Sequence, residues 1–250
     1  YEWHGNIEKS GFPEPSGIVF DGARGTLFVI GDEGDICEMT TDGKVLRRAV
    51  VRTGADFEGL ARDPATGLLY AAIEGEEKIV EVDPATLKAL REFTVPRRLG
   101  DVELFKPGGN GIEAICFVPD PSNPEGGTFF VANQSFSYDP NGEKSVIVEL
   151  EVPTRSSHTG GEARILGWFA PGVIDLSGLE YDRANGHLLA ISDATNTLME
   201  MTRRGRILRV IAFPGNDQEG IALDDRGFMY IARDCGGVLK IRPERPRFGP

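Results

Sequence analysis

Glu58, Glu113 and Glu219 recur at one position of a repeated phrase, and Ser16 and Ser177 hold that position in its other two copies. Two residues earlier stand Glu14, Asp56, Gly111, Asp175 and Asp217. Further on, at spacings of 16, 16, 21, 16 and 15 residues from the anchors, stand Asp32, Glu74, Gln134, Asp193 and Asp234. In extended chain, i and i+2 lie on one side, so copies arranged around an axis bring many carboxylates to one place. Like charges in a confined space repel, and they respond by taking up protons or a cation. No His or Cys enters these columns, which disfavours zinc and copper. An all-oxygen inventory suits Ca²⁺, which takes about six to eight oxygen ligands. We expect Glu58, Glu113 and Glu219 as metal ligands at the narrow end of a funnel, seconded by Asp56, Asp175 and Asp217. Asp32, Glu74, Gln134, Asp193 and Asp234 are expected to line a ligand site. The alternative for that third column is a structural one, in which its side chains hydrogen-bond backbone amides between repeats.

The elements that must hold these residues follow from the repeat itself. Its copies read EPSGIVFDGARGTLFVIGD (14–32), DFEGLARDPATGLLYAAIE (56–74), GIEAICFVPDPSNPEGGTFFVANQ (111–134), DLSGLEYDRANGHLLAISD (175–193) and DQEGIALDDRGFMYIARD (217–234). Each has an apolar strand, a turn rich in Asp, Pro, Asn and Gly, and a second strand. A third strand follows whose centre reads apolar-Glu-apolar in four copies (Glu38, Glu81, Glu149, Glu200), then a turn and a fourth strand. Short strands at a long fixed period mark a propeller or solenoid, and four antiparallel strands per repeat make one propeller blade. The anchors lie 42, 55, 64 and 42 residues apart, and each interval holds only four strand-like runs. The expectation is therefore an all-β chain, one β-propeller domain over 1–250, with five blades of four antiparallel strands; a six-bladed ring is the alternative. The fifth copy runs into RPERPRFGP, and proline cannot supply ladder donors. The spare segment Tyr1–Ile7 is expected to complete that blade and close the ring.

Two long segments, 96–110 and 134–145, fall on the same face as the acidic columns and flank blade 3. Phe105, Phe136 and Tyr138 within them are expected to form an apolar wall for a ligand. The segment 153–163 falls on the opposite face.

The net charge of −12 argues against a nucleic-acid surface, which needs clustered Lys and Arg. No run of apolar residues is long enough to span a membrane. Cys37 and Cys116 sit inside apolar strand patterns and read as buried small hydrophobes. GxSxG, HExxH and P-loop motifs are absent.

The phrases PSGIVFD, GTLFVIGDEGDICEMTTDGKVLR, DFEGLA, LLYAAIEGEEKIVEVD, GIEAICF, DLSGLEYD and DQEGIALDDRGFMYIA, in that order, resemble the SdiA-regulated (YjiK-like) β-propeller family. The resemblance covers roughly 14–243 and implies a calcium-binding propeller of the cell envelope, periplasmic or extracellular. More distantly, the chain is similar to the regucalcin and gluconolactonase propellers. In that group acidic and Asn residues hold one divalent metal over the channel and promote lactone or ester hydrolysis. Glu58, Glu113 and Glu219 match those positions, whereas Ser16 and Ser177 stand where that group has Asn ligands, and that group has six blades. Two functions are expected on this basis. The first is an exported monomer that holds Ca²⁺ and binds a small molecule or envelope partner at the acidic mouth. The alternative is a metal-dependent hydrolase of lactones or phosphoesters, with a carboxylate such as Asp193 or Glu33 as base.

Overall fold

In the computed structural model the described residues are 2–107, 110–137, 139, 142–212 and 215–242, with backbone alone for 2–4. Five sheets of four antiparallel strands form the blades of a β-propeller. Blade 1 runs Pro15–Asp21, Thr26–Gly31, Asp35–Thr40 and Val45–Val50; blade 2 runs Phe57–Arg62, Leu69–Ile73, Lys78–Asp83 and Lys88–Thr94. Blade 3 runs Ile112–Pro119, Gly127–Asn133, Ile147–Glu151 and Arg164–Phe169, and blade 4 runs Leu176–Asp182, His187–Ser192, Thr197–Met201 and Ile207–Ala212. Blade 5 takes three strands from the end of the chain, Gln218–Leu223, Met229–Arg233 and Gly237–Ile241, and its outer strand from the beginning, Glu2–Asn6. The register pairs Glu2 with Lys240 and Trp3 with Leu239. The N-terminal strand completes this sheet and closes the ring.

Each pair of adjacent blades encloses its own apolar cluster, which explains why the second strands read as unbroken apolar runs. In Thr26–Gly31, Phe28 and Ile30 pack toward blade 2 while Leu27 and Val29 pack toward blade 5. Alternate side chains thus enter opposite cores. The outer strands face solvent on one side, and Val45–Val50 alternates half-buried with exposed. Cys37 and Cys116 are buried, and Cys235 is exposed.

Two repeated acidic positions are structural. The Asp that ends each inner strand caps its own turn: Ala23, Ala65, Ser122, Ala184 and Arg226 donate backbone N–H groups to Asp21, Asp63, Asp120, Asp182 and Asp224. The third-strand glutamates tie each blade together. Glu38 accepts from Arg24, Thr26 and Arg47, Glu81 from Tyr70 and Arg91, and Glu149 from Thr128, while Glu200 lies 2.6 Å from His187 Nδ1. Segment 153–163 folds onto the outer edge of blade 2, where Gly161–Glu162 pairs parallel to Lys88–Thr94. No helix among the described residues is long and apolar enough to cross a membrane.

Candidate functional site: the acidic mouth

The anchor residues are bulges. The ladder of each inner strand slips between Pro15 and Gly17, Phe57 and Gly59, Ile112 and Ala114, Leu176 and Gly178, and Gln218 and Ile221. Ser16, Glu58, Glu113, Ser177 and Glu219 fall inside those slips. A bulged residue is left out of the ladder and its side chain is re-aimed. The following residue is Gly or Ala because the inner strands meet backbone to backbone. A Cβ on Gly17 would lie 2.7 Å from Leu60 N, one on Gly59 2.7 Å from Ile115 N, and one on Gly220 2.7 Å from Ile18 N. This waist leaves a void of about 10 Å³ beside Glu58, room for one water at most. The acidic mouth is therefore a bowl and not the end of an open channel.

Within the bowl the carboxylates divide by what they bond. Glu74 Oε1 accepts the Gly111 amide at 2.9 Å, and Asp193 Oδ1 accepts the Gln218 amide at 2.8 Å. Asp175 accepts from Gln134 Nε2 at 2.9 Å and from the Ala194 amide at 2.7 Å. Glu74 and Asp193 thus each reach a backbone amide of the next blade, and Gln134 and Asp175 join blades 3 and 4 side chain to side chain. Asp217 lies 3.8 Å from Arg233. By contrast, several of the other carboxyl groups bond one another, Glu58 with Asp56, Glu113 with Glu74 and Asp32 with Glu14. Carboxylates this close bond one another only when they share protons; of them Glu113 is buried, while Asp56 is exposed to solvent.

The electrostatics follow from burial and crowding. Desolvation, then the charges of Glu58, Glu74 and Glu219 and a bond to Glu74, push the Glu113 carboxyl up to about 11. Glu58 is driven well above the ordinary range by desolvation and by contact with Asp56. Glu219 rises to about 9 through desolvation and the charges of Asp193, Asp234, Asp175 and Asp217. Asp32 rises to about 7 through desolvation and its neighbour Glu14.

Asp56, Glu58 and Glu74 present oxygens that all lie within 4.8 Å of one another. Glu113 and Glu219 do not join that set: Glu113 faces Glu74 and Glu58, while Glu219 is surrounded by the acids of blades 4 and 5. The cluster thus draws Asp56 and Glu58 from the expected metal ligands and Glu74 from the expected ligand column. Oxygen donors are the kind that a hard divalent cation takes, and of the three Asp56 is exposed while Glu58 and Glu74 are half-buried.

Phe136 stands 58% exposed, whereas Phe105 is fully buried and belongs to the core. The expected wall therefore loses Phe105; Tyr138 lies outside the described residues. The two long segments around blade 3 are joined by Lys106 and Glu143 at 2.7 Å, and by Asn133, which donates to Leu104 O and Lys144 O. Glu77 escaped the column pattern. It is 1% exposed, is ion-paired with Arg97, and fills the place left by Gly111. Its only trace in the sequence is the acidic run EGEEK.

A family model described as SdiA-regulated matches residues 8–235. The chain belongs to the SdiA-regulated family. Among solved structures it is similar to glutaminyl cyclase from Myxococcus xanthus, with TM-score 0.61 and 14% identity, covering 92% of this chain and 90% of that one. It is also similar to a protein of unknown function from Bacteroides caccae, with TM-score 0.50 and 17% identity, covering 88% of this chain and 69% of that one. At these identities both neighbours speak for the fold that this family member adopts.

Proposed function

We propose that this SdiA-regulated propeller is an exported, calcium-binding protein that receives a small molecule or an envelope partner at its acidic mouth. The single observation behind this reading is the cluster of Asp56, Glu58 and Glu74 within 4.8 Å of one another. A site with so few protein carboxylates has modest affinity, in the range where calcium outside the cytoplasm is abundant enough to load it. Bound Ca²⁺ would supply positive charge and open coordination positions for ligand oxygens. The chain's own part is to hold Asp56 and Glu58 on a bulged strand start, to fix Glu74 through the Gly111 amide, and to offer Phe136 as an apolar contact.

The test is titration of the metal-free protein with Ca²⁺ by calorimetry, with melting followed in parallel. The expected result is saturable binding and a rise in melting temperature; no heat and no shift up to millimolar Ca²⁺ would remove the reading. Hydrolysis is a second reading because desolvation, the charge of Glu14 and a hydrogen bond to it push the Asp32 carboxyl up to about 7, which suits it to take a proton. A panel of lactones, aryl esters and phosphoesters, with and without EDTA, decides between the two.

A further inference from the structure

A sizeable cavity lies away from the acidic mouth. It opens on the opposite face, has a volume of about 660 Å³, and is walled by the far ends of the inner strands and their turns. That is the size of an ordinary small-molecule site. The Gly/Ala waist separates it from the carboxylate bowl, so an occupant of one does not reach the other.

We propose that this cavity is a second ligand site, for a small molecule that joins a basic amine to an apolar or aromatic body, with the amine meeting Glu180. Val19, Leu60, Cys116, Phe117 and Leu223 supply an apolar wall, and Tyr181 an aromatic one. Most acids around it are already engaged. Asp182 and Asp224 cap their own turns, Asp21 lies 2.9 Å from Arg62, and Asp225 is exposed at the rim. Glu180 differs, because it lies two residues deeper along the strand than Asp182, lines the cavity near the buried Cys116, and is bonded by the neighbouring Tyr181 amide and not by a cationic side chain. Desolvation pushes its carboxyl up to about 8, against the opposing pull of Arg183. A desolvated acid of this kind gains from a cationic partner that brings its own hydrogen-bond donors. One carboxylate is too few for a bare Ca²⁺ ion, whereas one ammonium group matches it. Arg62, only 9% exposed, adds a second polar feature: its Nε has no protein partner.

Fluorine NMR with 4-fluorobenzylamine and its neutral match 4-fluorobenzyl alcohol tests this on the full chain. The amine is expected to bind at least tenfold tighter than the alcohol. Glu180→Gln should erase that difference, and Ala184→Trp, at the cavity rim, should weaken both probes. Glu58→Gln, in the acidic bowl, should leave both unchanged. Equal binding of the two probes, an amine preference that survives Glu180→Gln, or loss of that preference in Glu58→Gln instead would overturn the proposal. Because the two faces are read out by different variants, its failure leaves the calcium reading untouched, and the reverse also holds.

Discussion

The Glu77 carboxylate of blade 2 occupies the space in which residue 111 of blade 3 would carry a side chain. A Cβ on Gly111 would collide with Glu77 Oε1 and lie 3.0 Å from Glu74 Cγ. Blade 3 therefore lacks its own acid at the position where the other blades have Glu14, Asp56, Asp175 and Asp217, and Glu77 brings one from next door. Gly111→Ala should destabilise the fold by about 1–3 kcal/mol, the usual cost of overpacking. Pairing it with Glu77→Ala should recover part of that loss, a coupling that urea denaturation of the four proteins would measure. Strict additivity would disprove the steric account.

Calcium dependence should reside in the three-carboxylate cluster. Glu58→Gln and Glu74→Gln should each abolish the calcium-dependent rise in melting temperature. In the unaltered chain, Ca²⁺ at a hundred times its dissociation constant should add about 2.7 kcal/mol of stability. Asp175→Asn should keep the calcium response and lower the starting stability, since both Asp175 oxygens are engaged by Gln134 and Ala194. Thermal scans with EDTA or calcium distinguish these outcomes.

The bowl and the blades should respond to pH in opposite directions. Glu219 titrates near 9 in the fold and at about 4.3 in the unfolded chain. Between those values the unfolded chain binds fewer protons, so stability falls as pH rises through that window. In EDTA, Glu219→Gln should flatten the decline in melting temperature between pH 5 and pH 9.

Glu38 carries the reverse sign. Hydrogen bonds from Arg24, Arg47 and Thr26 overcome the desolvation that opposes them and hold its carboxyl at about 2. Its contribution is full above the unfolded value and is lost as pH falls toward 2. Glu38→Gln should therefore cost about 1–3 kcal/mol at neutral pH and almost nothing near pH 2. Denaturant midpoints at pH 7 and near pH 2 would show it.

The waist should tolerate no side chain. Gly59→Ala places a Cβ 2.7 Å from Ile115 N, a clash with backbone that cannot swing away, and about 1–3 kcal/mol of stability should be lost. Gly75→Ala has open space around its Cβ but a φ of +74°, so its penalty is one of backbone strain, about 1 kcal/mol. Chemical denaturation ranks the two, and Gly59→Ala should cost more.

The sequence by itself pointed to five blades with a six-bladed ring as the alternative, to the strand order and to a closing role for Tyr1–Ile7; the structure decided for five and placed the closing strand at Glu2–Asn6. What the sequence pointed to follows from local grammar: strand period, turn residues and the prolines that end the chain. The sequence also marked Glu58, Glu113 and Glu219 as one column. It could not separate ligands from braces within the acidic columns, because an Asp that bonds an amide and an Asp that faces solvent look alike in one dimension. Only the tertiary structure decided that Asp175, Glu74 and Asp193 reach across to a neighbouring blade, that Glu77 replaces the acid missing at Gly111, and that Phe105 packs inward. The same holds for the pinched waist and the cavity beneath it. These features depend on distances between blades, which arise when the ring closes and cannot be read from any single repeat.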